Sequence, residues 1–169
     1  MRTLILLRHA KAERDAPSGQ DFDRALTERG WADARLIGRV LADAGFIPDR
    51  ARVSAARRAA QTWEAVATAF PPADAALLPE LFHAGPERLM AEIEGAAQDG
   101  ETLLVVAHNP GLHTLAARWA RASRAPEFAR IEAGFPTGAA AVFRTEPAEA
   151  PSLEAFFAPS AFGGGAHVG

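Results

Sequence analysis

Two uninterrupted apolar runs constrain the fold of this chain more than any other feature. They are Thr-Leu-Ile-Leu-Leu at 3–7 and Thr-Leu-Leu-Val-Val-Ala-His at 102–108. Runs without polar alternation are typical of strands covered on both faces, which occur in parallel sheets flanked by helices. Amphipathic helical segments separate the strand candidates along the chain, as parallel strands require. The sequence therefore predicts an α/β fold, a three-layer α/β/α sandwich with a mostly parallel central sheet.

The boundaries of the other elements follow from periodicity and from the residues that start and stop helices. Residues 26–46 carry apolar side chains at helical spacing, with Thr27 as a favourable N-cap and Gly45 after the last turn. Asn109 is expected to cap another helix, with Pro110 at its first position. Further strands are predicted at 52–56, 76–81, 139–144 and 152–158, further helices at 58–70 and 87–98, and a loop at 12–25.

The size and composition indicate one globular domain. The chain has 169 residues, of which 49% are hydrophobic and 23% charged, so it can bury a core without cross-links. We assign the domain to residues 1–158. The remaining segment, 159–169, is rich in glycine and is expected to be a flexible tail.

Charge, cysteine content and apolar segments argue against several classes of protein. The formal net charge of -3 disfavours general binding to nucleic acid. The chain has no cysteine, so it has no disulfides or thiolate metal sites, and a reducing compartment fits. No segment reads as a membrane span or a signal sequence. We therefore expect a cytoplasmic monomer with neither a membrane nor a nucleic-acid partner.

Three strand candidates are followed by basic or imidazole side chains. The first apolar run ends in Arg8-His9, the strand near 52–54 leads to Arg58, and the second apolar run ends in His108-Asn109. Parallel strands bring their carboxyl ends to one edge of the sheet, where ligands bind in α/β proteins. Two helix N-termini, near 58 and 110, are expected at the same edge and favour an anion. The sequence therefore predicts a phosphate site.

Five short motifs in order resemble one known family. The resemblance covers about residues 1–145, and its motifs are RHAK at 8–11, LTERG at 26–30, SAARRAAQT at 54–62, LPEL at 78–81 and AHNPGL at 107–112. Together they resemble the histidine phosphatase superfamily, which includes the phosphoglycerate mutases. The short chain and the RHAK spelling are similar to its SixA-type phosphohistidine phosphatase branch. The resemblance implies a phosphoglycerate mutase-like fold and no cofactor.

The resemblance also implies roles for individual residues. It makes His9 the nucleophile and places Glu80, in LPEL, where a general acid commonly falls. The residues that would hold the phosphate are Arg8, Arg58, His108 and Asn109. Arg58 is chosen over Arg57 because Arg-Ala-Ala-Gln-Thr at 58–62 is in register with the family motif, and Arg57 is expected at the surface.

The chemistry of these side chains agrees with that assignment. A neutral imidazole is a competent nucleophile near neutral pH and can take a phosphoryl group in line. Arginine guanidinium groups suit the charge on the phosphoryl oxygens. A backbone carbonyl should hold the Nδ1–H of His9 so that its Nε2 faces the phosphate. Two histidines without a third ligand at motif spacing do not predict a metal site.

Some positions depart from the family pattern or carry no assigned role. Ala10 stands where the better-known motif has glycine, and the chain lacks the long insertions that enclose a sugar-phosphate pocket in mutases. That shortness favours an open site able to accept a residue on a protein surface. His83 and His113 are near the mouth of the site in sequence only; a role without substrate contact is the simpler interpretation, and a substrate-facing role is the alternative. His167 receives no role.

The leading hypothesis is a metal-independent phosphatase that works through a phosphohistidine intermediate on His9. Its expected substrate is phosphohistidine on a signalling protein, such as a histidine-containing phosphotransfer domain. One alternative is a phosphatase of small phosphate monoesters, which would need an acid such as Glu80 for the leaving oxygen. A second, non-enzymatic alternative is a module that binds phosphate or a phosphoprotein. A mutase is less consistent with the size of the chain.

Overall fold

A six-stranded sheet forms the centre of the molecule. The computed structural model describes residues 2–165. The strands, in the spatial order β3-β2-β4-β1-β5-β6, are β1 Arg2–Arg8, β2 Arg50–Ser54, β3 Asp74–Leu78, β4 Thr102–Ala107, β5 Ala140–Thr145 and β6 Ser152–Phe157. Strands β1 to β4 are mutually parallel, and β5 runs antiparallel to both of its neighbours. The predicted mostly parallel sheet is confirmed.

Helices cover both faces of the sheet. They are α1 Glu28–Asp43, α2 Arg57–Ala67, α3 Pro86–Ala96, α4 Gly111–Ser123 and α5 Phe128–Ala133. The buried residues of α1 and α2 form one core cluster with the sheet, and those of α3, α4 and α5 form the other. The three-layer sandwich is confirmed. Helix α5 was not predicted, because its six residues are too few for a periodic pattern.

The apolar run of β1 is continuous because both of its faces are buried. Leu4 and Leu6 pack into the cluster with α3 and α4, while Ile5 and Leu7 pack into the cluster with α1 and α2. All four side chains are buried. Successive residues of a strand point to opposite faces, so a strand between two helical layers needs an apolar residue at every position.

The first helix begins and ends as its sequence predicts. The hydroxyl of Thr27 accepts a 2.9 Å hydrogen bond from the backbone N–H of Gly30. At the other end, Gly45 has a φ of 84°, and Phe46 donates its N–H to the carbonyl of Leu41 at 2.9 Å. This 6→1 hydrogen bond closes the helix, and the glycine takes the left-handed conformation that the closure requires.

Several predicted boundaries were wrong. Helix α4 begins at Gly111, and Asn109 does not cap it. The amide of Asn109 instead donates a 3.0 Å hydrogen bond to the carbonyl of Phe135, a contact distant in sequence. Strand β2 covers 50–54 rather than the predicted 52–56. Strand β3 covers 74–78 rather than 76–81, and residues 79–81 form a 3-10 turn. A second 3-10 turn, at 21–23, lies within the predicted loop.

The described part of the C-terminal segment lies against α1. Residues 159–162 form a 3-10 turn with Pro159 buried, and the N–H of Gly165 donates to Asp33 at 3.1 Å. The flexibility expected of 159–169 stays a prediction, and His167 lies outside the described residues. Within residues 2–165, no helix is long and apolar enough to cross a membrane.

Candidate active site

The site lies at the carboxyl ends of the central strands. Arg8 and Ala107 are paired in the parallel ladder of β1 and β4, so His9 and His108 leave the sheet side by side. Their ring centroids are 5.1 Å apart. Arg58 comes from the first turn of α2, which follows β2, the strand on the other side of β4. The sheet order therefore brings together the three polar strand ends that the sequence singled out.

These side chains line a cleft with a volume of about 330 Å³. Five of the six predicted site residues line it, and the exception is Glu80, which is exposed in the turn at 79–81. The full lining is Arg8, His9, Lys11, Ala12, Asp21, Arg24, Arg58, His83, His108, Asn109 and Thr137. The role of Glu80 as a general acid stays a prediction without a contact to support it.

Two hydrogen bonds define the tautomer of His9. Its Nδ1 lies 2.8 Å from the carbonyl of Ala10, which can only accept, so Nδ1 carries the proton. Its Nε2 accepts from Nε of Arg58 at 3.3 Å, so Nε2 carries no proton and its lone pair faces a guanidinium group that lines the cleft. The carbonyl that the sequence analysis expected is that of the next residue. His9 is thereby held in the form that a nucleophile needs.

The surroundings of His9 keep it neutral. Burial lowers the pKa of His9 to about 3, against the opposing hydrogen bond to the Ala10 carbonyl, and the charges of Arg58, Arg8 and Arg24 lower it further. Only 7% of the residue is exposed. A buried imidazole among cations disfavours a further positive charge. The nucleophilic lone pair is therefore available at neutral pH.

His108 lines the same cleft and is held by a serine of β2. Its Nε2 lies 2.7 Å from the hydroxyl oxygen of Ser54, which already accepts from the N–H of Ala56 and can donate its own proton to Nε2. The proton of the neutral ring is then on Nδ1, which is buried and meets no hydrogen-bonding atom of the described chain. Burial, followed by the charges of His9 and Arg58, lowers the pKa of His108 to about 3.

The motif around Arg58 connects the separate parts of the site. Arg58 is 4% exposed, whereas Arg57 is on the surface, as the motif register predicted. The hydroxyl of Thr62 accepts from the N–H of Ala10 at 3.0 Å and donates to the carbonyl of Arg58 at 2.6 Å. The threonine thus joins the segment that carries His9 to the helix that carries Arg58. Ala10, which replaces the usual glycine, is fully buried in the core.

Arg8 is the second arginine that lines the cleft. Its Nη1 donates to the carbonyl of Phe135 at 3.0 Å, while its Nε is buried and meets no hydrogen-bonding atom within residues 2–165. Burial, and then the charge of Arg58, lowers the pKa of Arg8. Two guanidinium groups that repel each other in one cleft provide a favourable place for an anion with several oxygens.

Asp21 is a site residue that the sequence analysis missed. Its carboxylate lies 3.1 Å from Nη2 of Arg58, its carbonyl accepts from Nη1 of Arg58 at 2.8 Å, and Arg24 donates to its other oxygen at 2.8 Å. Partial burial raises the pKa of Asp21, but the charges and hydrogen bonds of Arg58 and Arg24 outweigh it and hold the pKa below its usual value. The carboxyl is therefore ionised at neutral pH. Its position in an irregular loop gave no sequence signal.

The two additional histidines have different positions. His83 lines the cleft, with a φ of 59° and its ring stacked at 3.8 Å between centroids on Phe82. Its Nε2 is 3.8 Å from the carboxylate of Asp21, and 67% of its side chain is exposed. His113 is directed elsewhere, with Nε2 2.6 Å from the carbonyl of Ile131. Within residues 2–165, no three His, Asp or Glu side chains are arranged to hold a metal.

The comparisons with known proteins agree with this geometry. The sequence model of the histidine phosphatase superfamily (branch 1) matches residues 4–92, more than half of the chain. The chain belongs to the histidine phosphatase superfamily. This histidine phosphatase is 36% identical to an uncharacterised Mycobacterium tuberculosis protein over 82% of the chain and 86% of that protein. It is 30% identical to an uncharacterised chloroplastic protein of Arabidopsis thaliana, over 72% of the chain and 61% of the relative.

Solved structures place the histidine phosphatase near the SixA type. A protein from Agrobacterium tumefaciens named for the phosphohistidine phosphatase SixA is 32% identical, with a TM-score of 0.79 and coverage of 93% and 98% of the two chains. A protein histidine phosphatase SixA complexed with tungstate is 26% identical, with a TM-score of 0.79 and coverage of 95% of this chain and 99% of the other. A Plasmodium falciparum phosphoglycerate mutase shares the fold, at 21% identity and a TM-score of 0.61 over 92% and 89%. The predicted family and fold are confirmed.

Proposed function

We propose that this histidine phosphatase removes the phosphoryl group from phosphohistidine on a protein, through a covalent intermediate on His9. The observation that carries the proposal is the defined tautomer of His9. Its Nδ1–H is held by the carbonyl of Ala10, and its Nε2 lone pair faces the guanidinium of Arg58 in a cleft lined by two further arginines. A module that only bound phosphate would have no need for a nucleophile prepared in this way.

The contacts of the cleft suit both steps of the reaction. Arg8, Arg58 and His108 line the cleft, and their N–H groups suit the phosphoryl oxygens. The bond from Nε2 of His9 to phosphorus forms as the bond to the leaving group breaks, and the leaving group takes the electron pair. Water then attacks phosphorus, the N–P bond breaks, and its electron pair returns to Nε2. No step requires a metal.

The acid–base groups of the cleft favour a phosphoramidate over a phosphate ester. Among residues 2–165, Asp21 is the one carboxylate that lines the cleft, and its interactions with Arg58 and Arg24 keep it ionised. An ester oxygen needs a proton on the atom bonded to phosphorus as it leaves, and the ionised carboxylate of Asp21 cannot supply one. An imidazole leaves more readily. The similarity to SixA-type structures also supports phosphohistidine as the substrate.

The test compares phosphate release from two substrates. One is a histidine-phosphorylated phosphotransfer domain, and the other is a phosphoserine peptide of similar size. We expect rapid release from the first substrate, slow release from the second, and no activity in His9→Ala, with a ³²P-labelled phosphoenzyme formed by the wild-type protein alone. Release from the ester only would assign the protein to the monoester phosphatases. Tight phosphate binding without release from either substrate would indicate a binding module.

A further inference from the structure

His83 lines the exposed part of the cleft in which His9 is buried. In an in-line displacement, the leaving group departs on the side of phosphorus opposite the nucleophile. His9 is buried at the base of the cleft, whereas His83 lines the same cleft with most of its side chain exposed. The ring of His83 is 6.4 Å from that of His108, which itself contacts His9. The imidazole of His83 is thus at the mouth of the cleft, on the side where the leaving group would depart.

The conformation of His83 is held by its surroundings. Its φ of 59° is uncommon for a residue with a side chain, although histidine tolerates it better than most. Its ring stacks on Phe82, whose ring is 5.6 Å from that of His108. The backbone next to it is held by helix α4, because a Cβ at Gly111 would overlap the carbonyl of Ala84. The turn at 82–84 therefore holds the imidazole of His83 in a fixed position.

The titratable groups that face His83 come from two other elements. The carboxylate of Asp21, on the loop before α1, lies 3.8 Å from Nε2, and the ring of His108, after β4, is on the inner side. Phe82, beneath the ring, also carries the guanidinium of Arg58 at 5.7 Å from its centroid. The distance from Asp21 is that of an ion pair rather than a hydrogen bond, so the charge of the carboxylate favours this position of the ring and stabilises the cation that forms when the ring takes up a proton.

Phosphohistidine needs a proton at a place that an ester does not. Its ring has one nitrogen bonded to phosphorus and a second nitrogen on the far side of the ring. If the distal nitrogen has no proton, the ring must leave as an anion; if it has one, the ring leaves as neutral imidazole. The proton is therefore needed at the outer end of the leaving group, at the mouth of the cleft, rather than on the atom bonded to phosphorus.

We propose that His83, oriented by Asp21, is the catalytic residue that protonates the distal ring nitrogen of the phosphohistidine substrate. This inference rests on the proposed function. As Nε2 of His9 forms its bond to phosphorus, the N–P bond of the substrate breaks, and its electron pair goes to the leaving ring. That ring has received one proton from the imidazolium of His83 and departs neutral. In the second step, His83 takes a proton from the attacking water, which restores the imidazolium and yields inorganic phosphate.

A pair of small substrates tests this step directly. In phosphoimidazole the distal nitrogen is free, whereas in N-methyl-N′-phosphoimidazolium a methyl group occupies it and the ring leaves neutral without a proton. The value of kcat/KM reports the transfer to His9 and excludes hydrolysis of the phosphoenzyme, which is common to both substrates. The variant is His83→Asn, because asparagine tolerates a positive φ. His113→Gln, which removes an imidazole outside the cleft, is the control.

We expect His83→Asn to lower kcat/KM for phosphoimidazole by at least about 100-fold and to leave that for the methylated substrate nearly unchanged. His113→Gln should leave both values unchanged. Equal losses on the two substrates, or no loss on either, would overturn the role of His83 while the proposed function stands. Activity of His9→Ala on the methylated substrate would instead overturn the proposed function. A circular dichroism spectrum confirms that each variant folds.

Discussion

At the scale of single residues, neutrality is the property that matters most for His9. Its buried position and the nearby charges of Arg58, Arg8 and Arg24 disfavour protonation, and the carbonyl of Ala10 selects the tautomer. The same arginines that would bind the phosphoryl oxygens therefore also keep the nucleophile unprotonated. One set of charges performs two functions, which explains why an arginine and a histidine can be adjacent at the end of a buried strand.

The low pKa of His9 predicts how the first step responds to acid. A histidine with a pKa of about 3 keeps its lone pair well below the pH at which free imidazole is protonated. We expect kcat/KM of His83→Asn for the methylated phosphoimidazolium to stay level from about pH 8 to about pH 5. Stopped-flow measurement of ring release gives the profile. A fall in the rate centred near pH 6.5 would contradict a strongly depressed pKa.

Asp21 is expected to weaken the binding of inorganic phosphate but to favour turnover of the substrate. Its carboxylate occupies one edge of the Arg58 guanidinium, which a phosphate would also approach. We expect Asp21→Asn to bind inorganic phosphate about fivefold more tightly, since a repulsion of about 1 kcal/mol is removed. Its turnover of phosphoimidazole should fall, because His83 loses its carboxylate. Isothermal titration calorimetry gives the affinity.

The matched control for Asp21→Asn is Asp23→Asn. Asp23 belongs to the same 3-10 turn, but its carboxylate accepts from the hydroxyl of Ser18 at 2.7 Å and does not line the cleft. We expect its phosphate affinity and its turnover to match the wild-type values. If both asparagine variants tightened phosphate binding equally, the effect would belong to the net charge of the loop and not to Arg58.

At the scale of elements, close contacts between backbones position the loops around the cleft. Gly111 begins α4, directly after the segment that carries His108, and it packs on the backbone of the turn that carries His83. A side chain there would push the turn and the helix apart. The distance between the base and the mouth of the cleft thus depends on a glycine that itself performs no chemistry.

Two glycine substitutions separate this packing role from helix propensity. In Gly111→Ala, the new methyl group would overlap the carbonyl of Ala84, so we expect a loss of stability of about 1–3 kcal/mol and a large loss of turnover. In Gly95→Ala, at an exposed position of helix α3, nothing lies within 4 Å of the new methyl group. That variant should gain about 0.5–1 kcal/mol. Urea denaturation measures both, and a stabilised Gly111→Ala would contradict the close contact.

At the scale of the whole molecule, the site makes stability depend on pH. His9 and His108 have a pKa of about 3 in the folded chain, far below the ordinary value of 6.5. The unfolded chain therefore binds more protons between these values. The stability that the two neutral rings contribute is complete above about pH 6.5 and is lost progressively as the pH falls toward 3.

This linkage predicts a measurable slope. As the pH falls from about 6 to about 4, protonation of each histidine should lower the free energy of unfolding by up to about 1.4 kcal/mol per pH unit. Urea denaturation in phosphate-free buffer gives the free energy at each pH. Replacement of one ring, in His108→Gln, should make the slope shallower, because one of the two proton-linked groups is gone. A free energy of unfolding that does not change between pH 7 and pH 5 would argue against two buried neutral histidines.

Local patterns along the chain are sufficient to predict the layers of the fold and most of the side chains in the cleft. Continuous apolar runs require a strand covered on both faces, and helical periodicity requires an exposed and a buried side; both are local properties that the chain carries in any context. The polar residues at the strand ends were predictable for the same reason, because parallel strands share one edge. His9, Arg8, Arg58 and His108 were thus identified from the sequence and meet in one cleft.

The other residues that reach this cleft could not be predicted from local patterns, because their positions depend on how the loops pack. Asp21, in an irregular loop, contacts Arg58, 37 positions away, while Glu80 faces solvent although its motif suggested a role. His83 reaches the mouth because Gly111 lets its turn approach helix α4. Such contacts depend on the relative placement of loops distant in sequence. No periodicity encodes that placement, because it follows from the packing of the complete sandwich.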